Sequence, residues 1–172
     1  PIVRVADLQY ALVARALDCG AEGVIFPRVE DPELLQRAVS WTKFPPEGIR
    51  GCGLTPLHID FEPASIPEIM RHANEQTMVV LQIETVKAVE AMDELLSVPF
   101  LDAVMIGPVD LSISLGVPGE FEHPKMLAAV EQIVAACLAH SVVPGAQARN
   151  PALARRWKDM GMLFVGCGSE VS

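Results

Sequence analysis

Two kinds of hydrophobic pattern alternate along the chain. Short apolar runs rich in Val and Ile predict β-strands, and longer segments with an apolar residue every three or four positions predict amphipathic helices. The predicted strands span residues 2–5, 23–27, 77–83, 100–106, 142–146 and 163–166. The predicted helices span residues 8–19, 31–41, 66–75, 85–96, 124–140 and 150–161. A proline-rich loop over residues 54–65 is expected to be irregular.

This alternation of strands and helices predicts an α/β fold with a parallel sheet and right-handed crossovers. The near-continuous apolar run at residues 77–83 is typical of a strand that is buried on both faces. No Gly-x-Gly-x-x-Gly follows a predicted strand, which argues against a dinucleotide-binding sheet. A TIM (β/α)8 barrel needs about 250 residues. Residues 1–172 are therefore predicted to form a single, partial (β/α) barrel domain of about six units, and the first residues resemble the inside of a strand.

The composition narrows the range of partners and compartments. The formal net charge of -9 argues against nucleic acid and against anionic membrane surfaces. No apolar run approaches the roughly 18 residues of a membrane-spanning helix. The four cysteines form no C-x-x-C pair. They are expected to be reduced thiols in a cytoplasmic protein rather than disulfides or zinc ligands.

Polar residues follow the predicted strands at their carboxyl ends, where (β/α) barrels place their chemistry. Glu84 ends one buried strand, and Asp110 follows the next strand. Two carboxylates on neighbouring strands suit Mg²⁺ or Mn²⁺, with water and substrate completing the coordination. The alternative is structural: Glu84 favoured by a helix dipole and Asp110 acting as a helix cap. The spacing by itself leaves both interpretations open.

Three further features lie at the same predicted end of the sheet. Gln82 points to the same side as Glu84 and either binds a substrate oxygen or is a satisfied polar residue inside the barrel. Arg4 ends the first strand, and its planar guanidinium matches a carboxylate, although a surface ion pair is the alternative. The turn from Gly107 to Asp110 either presents main-chain N–H groups to an oxyanion or simply precedes a helix.

The lysines bear on the type of carbonyl chemistry. A Schiff-base aldolase needs a desolvated lysine inside the barrel. All four lysines fall in predicted helices or loops: Lys43, Lys87, Lys125 and Lys158. A metal ion is then expected to polarise any carbonyl substrate. No G-x-S-x-G elbow occurs, and His58 in the irregular loop is a candidate for a residue that covers the site.

Several stretches together resemble the HpcH/HpaI aldolase family. They cover nearly the whole chain in order: GAEGVIFP at 20–27, FPPEGIRG at 44–51, LQIET at 81–85, MIGPVDLS at 105–112 and LFVG at 163–166. The resemblance is greatest to the branch that acts on 4-hydroxy-2-oxo acids and 2-dehydro-3-deoxy sugar acids. It implies a (β/α)8 barrel, metal-dependent class II pyruvate aldolase chemistry and a homo-oligomer that acts on small molecules.

The resemblance also implies roles for individual residues. Glu84 and Asp110 would be the ligands of Mg²⁺, Mn²⁺ or Co²⁺. Gln82 would hold the keto region of pyruvate, and Arg4 would stabilise pyruvate and its enolate. The main chain at Val109 and Asp110 would bind the pyruvate carboxylate.

The sequence departs from the family pattern in three ways. The Asp-Gly-Glu-His stretch that carries the catalytic histidine of the family does not occur, so the general base is expected outside this sequence. The first two βα units and the last helix are also expected to be missing. Val109 stands where the family usually has Ala or Ser, and its larger side chain would narrow the pocket.

Two other functions are compatible with the same pattern. A citryl- or malyl-CoA lyase is a related barrel, but it would need a basic groove for CoA, and only Arg155 and Arg156 are adjacent basic residues. A catalytically inactive barrel or interaction protein would explain the missing base. Open sheet edges on a partial barrel would favour pairing with another chain.

Overall fold

The structure is a computed structural model, and it describes residues 1–53 and 63–168. Six parallel strands form one sheet in the order in which they occur along the chain. They are β1 Ile2–Arg4, β2 Gly23–Phe26, β3 Met78–Ile83, β4 Ala103–Ile106, β5 Gly145–Ala148 and β6 Phe164–Cys167. This strictly sequential order is that of an α/β barrel, since doubly wound sheets reverse their order. The prediction of an incomplete (β/α) barrel is confirmed, with β1 and β6 at the edges of the sheet in the described residues.

Eight helices connect the strands in the described parts of the chain. They are α1 Tyr10–Asp18, α2 Pro32–Ser40, α3 Ile66–Gln76, α4 Val86–Glu90, α5 Met92–Leu96, α6 Pro108–Ser114, α7 Pro124–Ala139 and α8 Pro151–Asp159. The predicted caps form: the Asp31 side chain accepts from the main-chain N–H of Glu33, and the Asn150 side chain accepts from that of Leu153, each at 2.9 Å. None of these helices has the length and apolar character that crossing a bilayer requires.

Two of the predicted elements have wrong boundaries. The helix predicted over residues 85–96 is two short helices, because the backbone leaves the helical region at Ala91 (φ −95°, ψ 18°). The strand predicted over residues 142–146 starts later, at Gly145, since Pro144 has no N–H for a ladder hydrogen bond. Residues 54–62 of the loop predicted to be irregular, and with them His58, lie outside the described residues.

The two faces of the sheet have different roles. One face packs against the helices and forms the hydrophobic core, with side chains that include Val24, Phe26, Val79, Leu81, Ile83, Val104, Ile106 and Ala146. Alternate residues occupy the other face, the inner face of the curved sheet. The register aligns Gln82 with Met105, and Gln147 with Gly166, on this inner face. Polar residues on the inner face therefore concentrate at the carboxyl ends of the strands.

Lys43 is the one buried lysine, since the other three are exposed. Its Nζ donates to the main-chain carbonyls of Asn74 (2.5 Å) and Thr77 (3.0 Å). Thr77 precedes β3, so this amine lies at the amino end of the strand, far along β3 from Glu84. Burial lowers the pKa of Lys43. Its hydrogen bonds tie together the end of α3 and the start of β3, which is a structural role.

Candidate functional site

The centre of the site is a carboxylate at the end of β3. Ile83, the last residue of β3, is buried against the helices, and Glu84 therefore turns to the inner face. Only 5% of Glu84 is exposed. The Gln82 amide, two residues earlier on the same face, donates from Nε2 to Glu84 Oε2 at 2.8 Å. Gln82 Oε1 is also buried, and it accepts no hydrogen bond from the described residues.

Gly107, the residue after β4, makes room for these two side chains. A Cβ atom at this position would lie 2.8 Å from both Gln82 Nε2 and Glu84 Oε2. The φ angle of Gly107 is −88°, which any residue can adopt, so it is the close approach that requires glycine here. The missing side chain at Gly107 leaves a cradle in which the polar atoms of Gln82 and Glu84 lie.

Asp110, in the first turn of α6, acts electrostatically on Glu84. The turn predicted over residues 107–110 is the start of this helix, with Gly107 as the N-cap and Pro108 in the first turn. Burial raises the pKa of Glu84, and the negative charge of Asp110 raises it further. The carboxylates from two successive βα units are therefore close enough to repel each other.

Two arginines oppose this repulsion. The main-chain N–H of Arg28 acts to lower the pKa of Glu84 by hydrogen bonding, and so do the charges of Arg28 and Arg4. The pKa of Glu84 nevertheless remains above its ordinary value. Arg4 ends β1 and is exposed. The structure thus brings Arg4, Glu84 and Asp110 into one electrostatic cluster, beside Gln82.

Arg28 is a residue of the site to which the sequence assigned no role, although it lies at the end of a predicted strand. It follows β2 with φ 55°, in the left-handed region that non-glycine residues rarely adopt. In this conformation its main-chain N–H acts to lower the pKa of Glu84. The position of Arg28 just after a strand was the only available signal in the sequence, because an arginine does not by itself indicate a positive φ.

Two serines hold the loops that carry the cluster. Ser112 is fully buried, donates from Oγ to the Val109 carbonyl (2.7 Å) and accepts from the Gly119 N–H (2.9 Å). Ser114 Oγ accepts from the Val86 N–H at 2.9 Å, which joins α6 to the start of α4. The helix that carries Val109 and Asp110 is therefore fixed relative to the end of β3.

These residues fit a divalent cation. Hard divalent cations prefer carboxylate, amide and water oxygens, and the cluster offers two carboxylates together with the unsatisfied Gln82 Oε1. In the described residues no group of three or more His, Cys, Asp or Glu side chains could hold a metal. The protein would supply only part of the coordination, and this leaves positions for a substrate.

The raised pKa of Glu84 makes a prediction for protein stripped of metal with EDTA. In the folded protein this carboxyl keeps its proton to higher pH than in the unfolded chain, so its charge destabilises the fold as pH rises through the folded pKa. We expect Glu84→Gln to raise the melting temperature by several degrees at about pH 8, and the gain to vanish towards about pH 4. Thermal unfolding across this range tests it.

The control for this prediction is Glu90→Gln, which changes an exposed glutamate on α4. We expect this variant to show no such pH-dependent gain. A stability difference for Glu84→Gln that stays constant across the pH range would contradict the interpretation.

Comparison with known proteins supports a single relationship. The sequence profile of "HpcH/HpaI aldolase/citrate lyase" matches residues 1–172. The chain is 36% identical over 172 residues to a 4-hydroxy-2-oxo-heptane-1,7-dioate aldolase of Salmonella typhimurium, of which it spans 65%. All of this chain is covered by that match.

Solved structures of this family are also similar to this chain. An HpcH/HpaI aldolase from Desulfitobacterium hafniense has a TM-score of 0.92 and 36% identity, with 99% of this chain and 66% of that chain covered. The citrate synthase SbnG has a TM-score of 0.85 and 31% identity, with 99% and 65% covered. Both similarities extend over the strands that carry the cluster.

Proposed function

Because the chain belongs to the HpcH/HpaI aldolase/citrate lyase family, we propose that the protein is a divalent-metal-dependent aldolase that joins pyruvate to an aldehyde or reverses that reaction. Its substrate is a 4-hydroxy-2-oxo acid or a 2-dehydro-3-deoxy sugar acid. The observation that supports this proposal most strongly is the buried Glu84 carboxylate, which shares its surroundings with Asp110 and Arg4. Such a cluster suits a cation and the negative charge of an enolate.

Glu84 and Asp110 would hold the cation, as Mg²⁺, Mn²⁺ or Co²⁺, and oxygen ligands do not decide among these three. The bound ion would polarise the oxo group next to the bond that breaks and stabilise negative charge on that oxygen. The raised pKa of Glu84 agrees with this role, because a cation would offset the charge that burial and Asp110 make unfavourable.

The oxo acid would lie between β1, β3 and α6. Arg4 would pair with the negative charge that develops on the oxo acid. This is supported by its position, because the charges of both Arg4 and Asp110 act on the Glu84 carboxylate. Gln82 would contact the keto region through its amide. The N–H groups of Val109 and Asp110 lie in the first turn of α6, where helices leave N–H groups without internal partners, and would bind the carboxylate.

In cleavage, a base takes the proton of the C4 hydroxyl group and the C3–C4 bond breaks. The C4–O bond becomes the carbonyl of the aldehyde, and the bonding pair of electrons passes to C3 to form the enolate of pyruvate. Protonation of C3 then gives pyruvate. Arg4 would stabilise the enolate charge in this sequence, and none of the five residues assigned here is the base. The condensation follows the same steps in reverse.

The experiment is aldol cleavage of a synthetic 4-hydroxy-2-oxo acid, with pyruvate release followed before and after treatment with EDTA. We expect activity to disappear with EDTA and to return with Mg²⁺ or Mn²⁺. Activity that survives complete removal of metal would contradict the proposal.

Gly107→Ala provides a structural test of the same site. The added methyl would lie 2.8 Å from Glu84 Oε2 and Gln82 Nε2 and must displace them. We expect kcat/KM to fall by about a hundredfold, since small displacements of catalytic groups have effects of this size. The control is Gly53→Ala, because among the described residues no atom beyond its chain neighbours lies within 4 Å of the corresponding Cβ. Full activity in Gly107→Ala would show that the cradle is not part of the active site.

A second candidate is a citrate-forming or citrate-cleaving enzyme. The similarity to the citrate synthase SbnG, at 31% identity, favours it. Such an enzyme would act on an oxo acid at the same cluster but with a different partner. Citrate formation, or cleavage of citryl- or malyl-CoA, at a higher rate than aldol cleavage would favour this candidate.

A further inference from the structure

Strand β5 brings a second amide to the level of Glu84. Ile106 on β4 is in register both with Ile83 on β3 and with Ala146 on β5, and all three are fully buried against the helices. The next residues along β3 and β5 are Glu84 and Gln147. Because side chains alternate along a strand, both turn to the inner face at the same height. The proposed catalytic mechanism assigns no role to Gln147.

The main chain at Gln147 is firmly held. The indole N–H of Trp157, a fully buried side chain on α8, donates to the Gln147 carbonyl at 3.3 Å. The flanking Ala148 is 1% exposed and packs in the hydrophobic core. The direction of the Gln147 side chain is therefore fixed by its two neighbours in the chain, Ala146 and Ala148, which both pack in the core.

The amide group itself lies over β6. A Cβ atom at Gly166, the register partner of Gln147, would be only 2.1 Å from Gln147 Oε1. Within residues 1–53 and 63–168, the amide Nε2 makes one long hydrogen bond, 3.4 Å, to the carbonyl of Gly168. Gly166 thus gives the amide its room, and Gln147 is exposed, with hydrogen-bonding capacity that the described residues do not use.

The position of this amide separates it from the pyruvate end of the site. The groups assigned to the oxo acid come from β1, β3 and α6, whereas Gln147 comes from β5. Gly107 follows β4, the strand between β3 and β5, and it contributes no side chain that would divide the two parts of the site. A substrate held at Glu84 would extend over Gly107 towards Gln147 and Gly166.

We propose that Gln147 selects the aldehyde half of the substrate by hydrogen bonding to a hydroxyl group on it. This inference rests on the proposed aldolase function. An amide both donates and accepts, as a hydroxyl group does, and it carries no charge to pair with a carboxylate. The favoured partner of pyruvate is then a hydroxylated aldehyde rather than an alkyl aldehyde, and Gly166 is needed to let the amide take its position.

The test compares the addition of pyruvate to glyceraldehyde and to butanal in the purified protein and its variants. We expect Gln147→Leu to raise the KM for glyceraldehyde about tenfold, the effect of one lost hydrogen bond, while the KM for butanal stays the same or falls. Gly166→Ala should shift the preference in the same direction, since its methyl displaces only the end of a flexible side chain. Gln36→Leu, at an exposed position of α2, is the control and should change neither KM.

An aldehyde-free measurement separates this inference from the function on which it rests. Metal-dependent exchange of the pyruvate methyl protons in D₂O reports enolate formation alone. Exchange retained in all variants, with the glyceraldehyde preference lost in Gln147→Leu and Gly166→Ala, supports the role of Gln147. Exchange retained with an unchanged preference overturns that role and leaves the aldolase function intact. A parent protein that shows no exchange overturns the aldolase function and this inference with it.

Discussion

Glu84→Gln and Asp110→Asn are each expected to lower kcat/KM for aldol cleavage by about a thousandfold, because each would remove an anionic ligand from the cation that we propose to stabilise the enolate. Both replacements keep the size of the side chain. In Glu84→Gln the buried site also loses a charge that burial makes unfavourable, so the fold should survive. Steady-state kinetics with saturating Mn²⁺ measure the effect.

The control for these variants is Glu90→Gln, an exposed carboxylate on α4 in the same βα unit. It should retain the activity of the parent. If Asp110→Asn were as active as the parent while Glu84→Gln was inactive, the two carboxylates would not share an ion, and Asp110 would be a first-turn helix residue only.

Replacement of Arg4 is expected to have the second largest effect. Arg4→Met should lower kcat by about 10²–10³-fold, the range observed when one charged or polar group that stabilises an anionic transition state is removed. Arg4→Lys should recover only part of the loss, because an ammonium group does not match an oxo acid with the paired geometry of a guanidinium. The readouts are kcat and KM for the 4-hydroxy-2-oxo acid.

Arg15→Met, an exposed arginine in the last turn of α1, is the matched control and should leave both constants unchanged. An Arg4→Met variant with normal kcat and a raised KM would show that Arg4 binds substrate without stabilising the enolate. Normal values of both constants would exclude Arg4 from the site.

The hydrophobic pattern predicted the fold well where burial dominates the choice of conformation. The apolar run at residues 77–83 became β3, whose core-facing residues are fully buried. The pattern failed where backbone geometry decides. Nothing in the sequence between residues 85 and 96 marks the break at Ala91, since no Gly or Pro stands there. At β5, the valines before Pro144 led to a predicted strand that begins earlier in the chain than the observed one.

The candidate site was predictable because strand ends and strand alternation are regular. Glu84, Gln82 and Arg4 were placed by these rules, and the structure brings them together with Asp110. Arg28 was not predictable, since its contribution depends on a positive φ at a bulky residue. The cradle at Gly107 and the room for Gln147 at Gly166 also required coordinates, because glycines after strands serve many purposes.

The central claim is that carboxylates from β3 and α6 share one cation, and equilibrium binding of Mn²⁺ tests it most directly. Titration followed by electron paramagnetic resonance counts the bound ions and needs no substrate. The structure predicts one site in the parent protein, greatly weakened in Glu84→Gln and in Asp110→Asn alike, and unchanged in Glu90→Gln. Mn²⁺ binding of parental strength in either of the first two variants would contradict the claim.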